Sequence, residues 1–400
     1  MEKSRQPSSP GISPVSISDS IEELLKFLLS ASANETLEID LGLSNAYCSY
    51  LLTPEPDHGS YHDAVDALQT SGGVPLYPLY KHLASTLHSC ITSGAFWRTS
   101  NTITSIQEDE CLKQKENEWS KLIASEGTEL VKMLKVVDFE LHVQEPFFTQ
   151  LRVGLKTIEG RCAVGDYNRI GPGAFLLINK CLLLEVQNVK WYASFSEMME
   201  AASLTRVLPG VETIEEGVQI YRKFYTEEKE KSNGVLAICV SRSAVQPYIS
   251  MANIVHGLSY NGIGSLMGLM HTAGTVLDSL PPSRSTLLSS FMMPNQPNVK
   301  GSTLTDGARA LAKHVNRSSD GWWGNFGGND SDKNRLALNL ISRLITHCCW
   351  MNTYVIQPHD CVFEIRVVEG YGARWSKDGS KFIGFLEPYT KDGHLKGWKH

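Results

Sequence analysis

Apolar residues recur along the first third of the chain with a helical period. Ile21, Leu24, Leu25 and Leu28 stand at i, i+3, i+4 and i+7 behind Ser20 and Glu23, a spacing that predicts an amphipathic helix opened by a capping box. The same period returns over 78–96 and from Cys111 to Val137, where Trp119, Leu122, Ile123, Leu130 and Leu134 form the stripe. Residues 17–136 are therefore expected to be a helical region, preceded by a Ser/Pro-rich disordered tail over 1–16. At Val136 the period changes. DFELHVQ reads as a strand and EPFFTQLRVG as a short helix stopped by Gly154, and KTIEGRC, GAFLLINK, CLLLEVQNVKWYASF and GVLAICVSR read as further strands. Only SEMMEAASLT and EEGVQIYRKFY interrupt them with helical spacing, so 137–245 is expected to be a small closed or nearly closed barrel. Beyond it, SLMGLMHTAGTVLDSL, TDGARALAKHVNRSS and KNRLALNLISRLITHCCW are helical in pattern. CVFEIRVVEGYGARWS and KFIGFLEPY then read as strands around the turn KDGS, predicting an α+β domain over 246–400. The fold class is α+β throughout.

Four hundred residues exceed what one hydrophobic core usually supports, in keeping with several domains. A net charge of -6 excludes a protein held to nucleic acid by bulk positive charge, so any polyanion site must be local. From residue 290 onward fourteen Lys/Arg face ten Asp/Glu, which leaves the acidic surplus in the first 289 residues, where a protein partner of the helical region would meet it. The nine cysteines are scattered without a CxxC pair, a pattern of reduced thiols in a cytoplasmic or nuclear protein. No apolar run approaches the roughly 18 residues of a membrane span, so no membrane association is expected. His58, His62, His82 and His88 lie in a loop-and-helix region without ligand spacing; neither a metal nor a cofactor is implied.

The densest candidate chemistry is the run GLKTIEGR, residues 154–161. On a strand from Lys156, Thr157, Glu159 and Arg161 share one face while Lys156, Ile158 and Gly160 share the other. Lys156 then stands at the mouth between the preceding helix and the barrel, and Glu159 and Arg161 either pair with each other or address one ligand. Two readings stay open: a surface hairpin carrying an ion pair, and a site for a phosphate or a base edge. Lys180, and Lys190 beside Trp191 and Tyr192, could extend such a cleft, although a tryptophan in a small barrel is expected to be core. Tyr221 and Tyr225 read as helix-face packing. In the C-terminal domain SSDGWWGNFGGNDSDKN offers a Gly-rich loop with Trp322 or Trp323 as a stacking plate beside Lys313, Lys333 or Arg335, without matching a nucleotide-triphosphate loop. Arg374 and Glu387 are expected to meet across strands. With Trp375 and His394, an acid or base candidate, they form a possible second site, set against a buried polar network that fixes the fold. Trp398 and His400 end the chain, and an aromatic terminus is expected to be docked.

The order strand, EPFF-containing helix, GLKTIEGR, a VGD step at 164–166 and apolar strands resembles the ASCH domain, the activating signal cointegrator homology module. Its signature is a G-x-K-x-x-E-x-R run, and its fold is similar to PUA-like RNA-binding barrels. The resemblance covers about residues 137–241, and the whole arrangement resembles plant ASCH-domain proteins. It implies binding of RNA or a modified nucleoside in the cleft between first helix and barrel, in RNA metabolism or transcription coactivation. Lys156, Thr157, Glu159, Arg161 and Lys180 would be the contacts. Some bacterial relatives resemble amidohydrolases of acetylated cytidine that use a Lys, a Thr three positions later and a distant Glu. Here the third position after Lys156 is Glu159, so that alternative, with Lys156 and Glu159 as its catalytic groups, lacks its hydroxyl nucleophile.

Overall fold

The computed structural model describes residues 15–56, 70, 72–98, 110–295, 303–315, 321–356 and 360–388. The chain divides into two compact units: Met1–Ala31 with Leu37–Ile39 and Ala124–Ile254, and Ser32–Thr36 with Asp40–Ile123 and Val255–His400. The helices expected over 17–136 are thus shared between both units. Among the described residues no helix is long and apolar enough to cross a membrane.

In the first unit α1 (Ile17–Ala33) buries Ile21, Leu24, Leu25 and Leu28 completely. It starts one turn earlier than its capping pattern suggests: Ser16 caps it by accepting from the Asp19 N–H at 3.3 Å, and Ser20 lies buried inside the helix. Two further helices, α2 (Asn45–Leu52) and α3 (Leu79–Ser93), belong to the second unit; Gly94, left-handed at φ 68°, stops α3. The long α4 (Glu110–Lys135) passes from the second unit to the first, and of its expected stripe all but Leu122 are buried.

The expected barrel is a five-stranded sheet curled into a half-barrel. Its strands are β1 (Phe139–Leu141), β2 (Ile158–Cys162), β3 (Phe175–Ile178), β4 (Leu182–Tyr192) and β5 (Val235–Arg242), in the order β1-β3-β4-β5-β2. Only β1 and β3 run parallel. The eleven-residue β4 serves both β3 and β5 by bending at a bulge between Val186 and Asn188, which adds curvature. β1 and β2 are left as the two edges, and the helix between them in sequence, α5 (Phe147–Val153), ends at Gly154 with φ 84° as its C-terminal stop requires. Short helices α6 (Phe195–Ala202), α7 (Leu204–Val207), α8 (Ile214–Arg222) and α9 (Glu227–Asn233) cover the β2 and β5 side, with Phe195 stacked on Tyr221 at 3.9 Å. Phe27 of α1 meets Phe148 of α5 edge to face at 5.6 Å, which explains why α1 belongs to this unit.

The second unit ends in a four-stranded antiparallel meander, β6 (Trp350–Val355), β7 (Cys361–Arg366), β8 (Gly372–Ser376) and β9 (Phe382–Leu386). Helices α11 (Arg284–Phe291), α12 (Asp306–Val315) and α13 (Asp330–His347) pack on it through Phe291, Leu311, Ile341 and Ile345 against Phe363, Trp375 and Phe385. Two helix expectations fail here. SLMGLMHTAGTVLDSL begins where α10 (Pro247–Leu266) ends, because Gly268 and Gly274 take φ of 86° and 82° and Leu269 and Thr275 form bridges to Met351 and Tyr354. Likewise α13 stops at His347, since Cys348 turns to ψ 139° and Trp350 already starts β6.

Candidate nucleic-acid interface

The GLKTIEGR run is where the half-barrel's open edge is closed by side chains. After Gly154 the chain folds back on α5, with the Lys156 N–H donating to Gln150 O at 3.1 Å, and Thr157 exchanges with neighbours by donating to Arg206 O and accepting from the Val240 N–H. The strand therefore begins at Ile158, two residues later than expected, and all five of its residues are buried. Lys156, standing before the pleat, is free of the face assignment made for it and turns toward Glu159.

Glu159 carries both cations. Lys156 Nζ lies 3.2 Å from Glu159 Oε2 and Arg161 Nε 2.9 Å from Glu159 Oε1, and all three residues are buried. Lys156 Nζ also donates to Ile158 O at 2.8 Å and to Val207 O, so two hydrogen bonds and the Glu159 ion pair hold it on protein oxygens. Arg161 reaches the other way. Its Nη2 donates to His142 O at 2.7 Å, linking edge strand β2 to the segment that follows β1, and its guanidinium lies 5.7 Å from the Tyr167 ring centre. The Arg161 Nε contact to Glu159 is close but not aligned as a hydrogen bond. Burial pushes the Glu159 carboxyl up, and the two cations outweigh it, holding it below the usual carboxylate range. Against its own burial penalty, the Glu159 charge raises Arg161 above its ordinary value. Burial lowers Lys156 in turn, against the pull of the Glu159 carboxylate, while Arg161 keeps its charge out of water.

That charge faces a cavity of about 350 Å³ between the two edges, walled by Phe147, Tyr167, Tyr221, Phe224 and Tyr225. The Tyr225 hydroxyl is buried beside the Arg161 guanidinium, without an aligned hydrogen bond. Gly160 is needed here, because a Cβ would collide with the Tyr221 hydroxyl and ring; what approaches its backbone is the protein's own tyrosine. Tyr221, on α8, packs against Phe195 as expected of a helix face, whereas Tyr225 lies past the end of α8 and reaches Phe195 from there; both also line the cavity, which the one-face reading missed. Thr157 does not face it as a free hydroxyl: its Oγ1 accepts from Arg206 Nε at 3.0 Å. Lys180 is not brought to the triad. It lies 3.7 Å from both Asp19 and Glu140 and lines a neighbouring cavity of about 780 Å³, which shares Glu140, Leu141 and His142 with the first. Trp191, expected in the core, is 61% exposed. It lies flat over Gly234, held by its Nε1–H on Asn233 O at 3.1 Å, at a place where any Cβ would clash with the indole.

In the C-terminal unit the second set of candidates separates. Trp375 is wholly buried, donating to Leu287 O at 3.2 Å, and Trp323 is core as well. Trp322 is half-buried, stacked on Tyr371 at 4.0 Å with the Arg343 guanidinium 5.0 Å from its ring centre. Arg374 does not meet Glu387. The β7–β8 register sets it opposite Glu364, and on β9 opposite Gly384. It gives Glu364 Oε2 two hydrogen bonds at 2.9 and 2.6 Å; Tyr354 donates to the same oxygen and Arg366 to Oε1. Glu387 instead accepts from Trp323 Nε1 at 2.8 Å and meets His314 Nδ1 at 2.8 Å, a histidine the sequence had not singled out. His394, Trp398 and His400 lie outside the described residues, as do His58 and His62. Among the described residues no cluster of His, Cys, Asp and Glu has the geometry to hold a metal ion.

Comparison with known proteins bears on both units. No curated protein matches the chain. Two solved structures resemble part of it: hypothetical protein PH0355, 40% identical with a TM-score of 0.26, and protein PF0455 from Pyrococcus furiosus, 41% identical with a TM-score of 0.25. Each match covers 26% of this chain and 97% of the other. Residues 293–387 match the family model of the CdiA C-terminal tRNase toxin domain. Residues 141–242 match the family model of the ASCH domain, over the same stretch that carries the Lys156, Glu159 and Arg161 cluster. The half-barrel segment of this chain, with its GLKTIEGR edge strand, is an ASCH domain.

Proposed function

We propose that the ASCH domain binds RNA by taking one base, or a free modified nucleoside, into the cavity beside Glu159 and Arg161. The observation that carries this is the pairing of the buried Arg161 charge with a Tyr225 hydroxyl in no aligned hydrogen bond, in a space within the ~300–1,000 Å³ usual for small-molecule sites. The surrounding rings offer stacking, and Glu159 can accept from an exocyclic amine. Arg161 is the ligand-facing cation. Lys156 is held by two carbonyls and an ion pair with Glu159, and positions that carboxylate instead.

The acetylcytidine amidohydrolase alternative gains no support from this geometry. Thr157 is engaged by Arg206, and Lys156 is enclosed by two carbonyls and a carboxylate. The test is binding of short single-stranded RNAs and of nucleosides to the full chain and to Arg161→Gln. Affinity should fall at least tenfold in the variant, with a shallow salt dependence, because few phosphates enter a closed pocket. Equal affinity in both would remove the proposal.

A second reading concerns the C-terminal unit, where the match over 293–387 favours an activity on transfer RNA. We infer that this unit cleaves RNA of that class, to be checked by incubating the full chain with total transfer RNA and resolving the products on a gel.

A further inference from the structure

Cleavage of RNA needs little from a protein: the substrate's own 2′-hydroxyl is the nucleophile, and what must be supplied is a group to take its proton and return it. Resting on the second reading above, we propose that His314 is the catalytic base of an RNA-cleaving site in the C-terminal unit, positioned by Glu387 and Trp323.

The placement follows from three elements. His314 lies in the last turn of α12, Glu387 just past the end of β9, and Trp323 in the Gly-rich segment before α13. One carboxylate oxygen of Glu387 accepts from Trp323 Nε1 and from His314 Nδ1, each at 2.8 Å. An ionised carboxylate only accepts, so this contact assigns the hydrogen to Nδ1, and in the neutral ring the lone pair is then on Nε2, the form in which an imidazole works as a base. The ring is tilted on Trp323 at 5.1 Å and meets Phe385 edge to face at 5.9 Å, which fixes its plane. Trp323 and Glu387 are nearly enclosed, whereas the His314 side chain is 22% exposed. This contrast separates His314 from His271, which is enclosed with Ser265 at 3.1 Å. Trp322 lies against Trp323 at 4.9 Å with the Arg343 guanidinium over its ring, so a surface cation stands at the margin of the cluster, where a phosphate would need one.

In the step assigned to it, Nε2 takes the proton of the 2′-hydroxyl as the 2′-oxygen bonds to phosphorus. The bond from phosphorus to the 5′-oxygen breaks, and the imidazolium returns the proton to that leaving oxygen. The products are a 2′,3′-cyclic phosphate and a 5′-hydroxyl; nothing is oxidised or reduced, and no co-reactant is consumed.

The experiment incubates the full chain, wild type and the variants His314→Asn and His314→Gln, with total transfer RNA and with a DNA oligonucleotide. The new ends are identified by mass spectrometry, and thermal melting of each variant reports its fold. The inference expects RNA cut to cyclic phosphate ends, DNA left intact, and a loss of at least about 100-fold in either folded variant. Two results would overturn it while leaving the second reading standing: wild-type cleavage that leaves a 3′-hydroxyl, or a folded His314 variant that cuts at the wild-type rate. Absence of any cutting of transfer RNA by the wild type overturns the second reading and the inference together.

Discussion

Each unit buries one glutamate between two cations, and the two clusters differ in what is left over. Glu364 lies on a central strand of the meander, where both oxygens are filled by Arg366, Arg374 and Tyr354 at 2.6–2.9 Å. Every strong donor there points at a protein acceptor, as a network that holds three strands in register requires. Glu159 lies on an edge strand. Its contacts to Lys156 and Arg161 are 3.2 and 2.9 Å, the second out of line, and next to it the Tyr225 hydroxyl makes no aligned hydrogen bond. The same residue types make a closed lock in one place and an incompletely satisfied pocket in the other. The difference is the strand's position in its sheet, not its charge. Unsatisfied hydrogen-bonding capacity facing a cavity is a property of binding sites, whereas a filled network gives stability.

This contrast can be broken by substitution. Glu364→Gln should cost the second unit about 3–5 kcal/mol, since it leaves the buried Arg374 and the half-buried Arg366 over a neutral group. Urea unfolding would show it as a lower midpoint, with RNA binding by the ASCH domain unchanged; an unaltered midpoint would mean that the network contributes nothing.

Acid should then weaken both units in the same direction. Burial raises Glu159 and Glu364, and the flanking cations more than compensate, so each folded carboxyl titrates below its unfolded value of about 4.3. The stabilisation is therefore fully present above that pH and lost as pH falls through the lower, folded values. Urea midpoints measured from pH 7 to pH 3 should decline only at the acid end. A midpoint that rises as pH falls would contradict the charged state of both groups.

The smallest change is the most discriminating. Tyr225→Phe removes a hydroxyl that lies beside Arg161 in no aligned hydrogen bond, so stability should stay within about 1 kcal/mol of wild type. Affinity for RNA should nevertheless fall severalfold, by ~1 kcal/mol, because the ligand loses a hydrogen bond. Stability lost without a change in affinity would make Tyr225 a structural residue.

Much of the ASCH domain could be read from local patterns. Gly154 stops its helix, and the strands after it are where alternation and apolar runs placed them. The triad was visible as a spacing. Its pairing was not, because Lys156 stands outside the pleat and reaches Glu159 through a fold-back set by Gln150 O and Val207 O. Nor could the sequence show that β1 and β2 stay apart, or that Tyr221 and Tyr225, sixty residues on, close the gap; such contacts depend on how the sheet curls. Trp191 was misplaced for a related reason: its indole lies over Gly234, a neighbour that only the β4–β5 register supplies. In the second unit, Glu364 rather than Glu387 meets Arg374 because register, not nearness in sequence, chooses cross-strand partners.

The claim that the half-barrel cavity receives a base is tested most directly by photo-cross-linking. The full chain would be bound to single-stranded RNA carrying 4-thiouridine, irradiated, and its cross-linked peptides mapped by mass spectrometry. Cross-links concentrated in the segment from Tyr221 to Tyr225 and around Tyr167, and lost in Arg161→Gln, are the expected result. Cross-links confined to other surfaces, such as the exposed face around Trp191, and unaffected by that substitution, would show that the cavity is not where RNA is held.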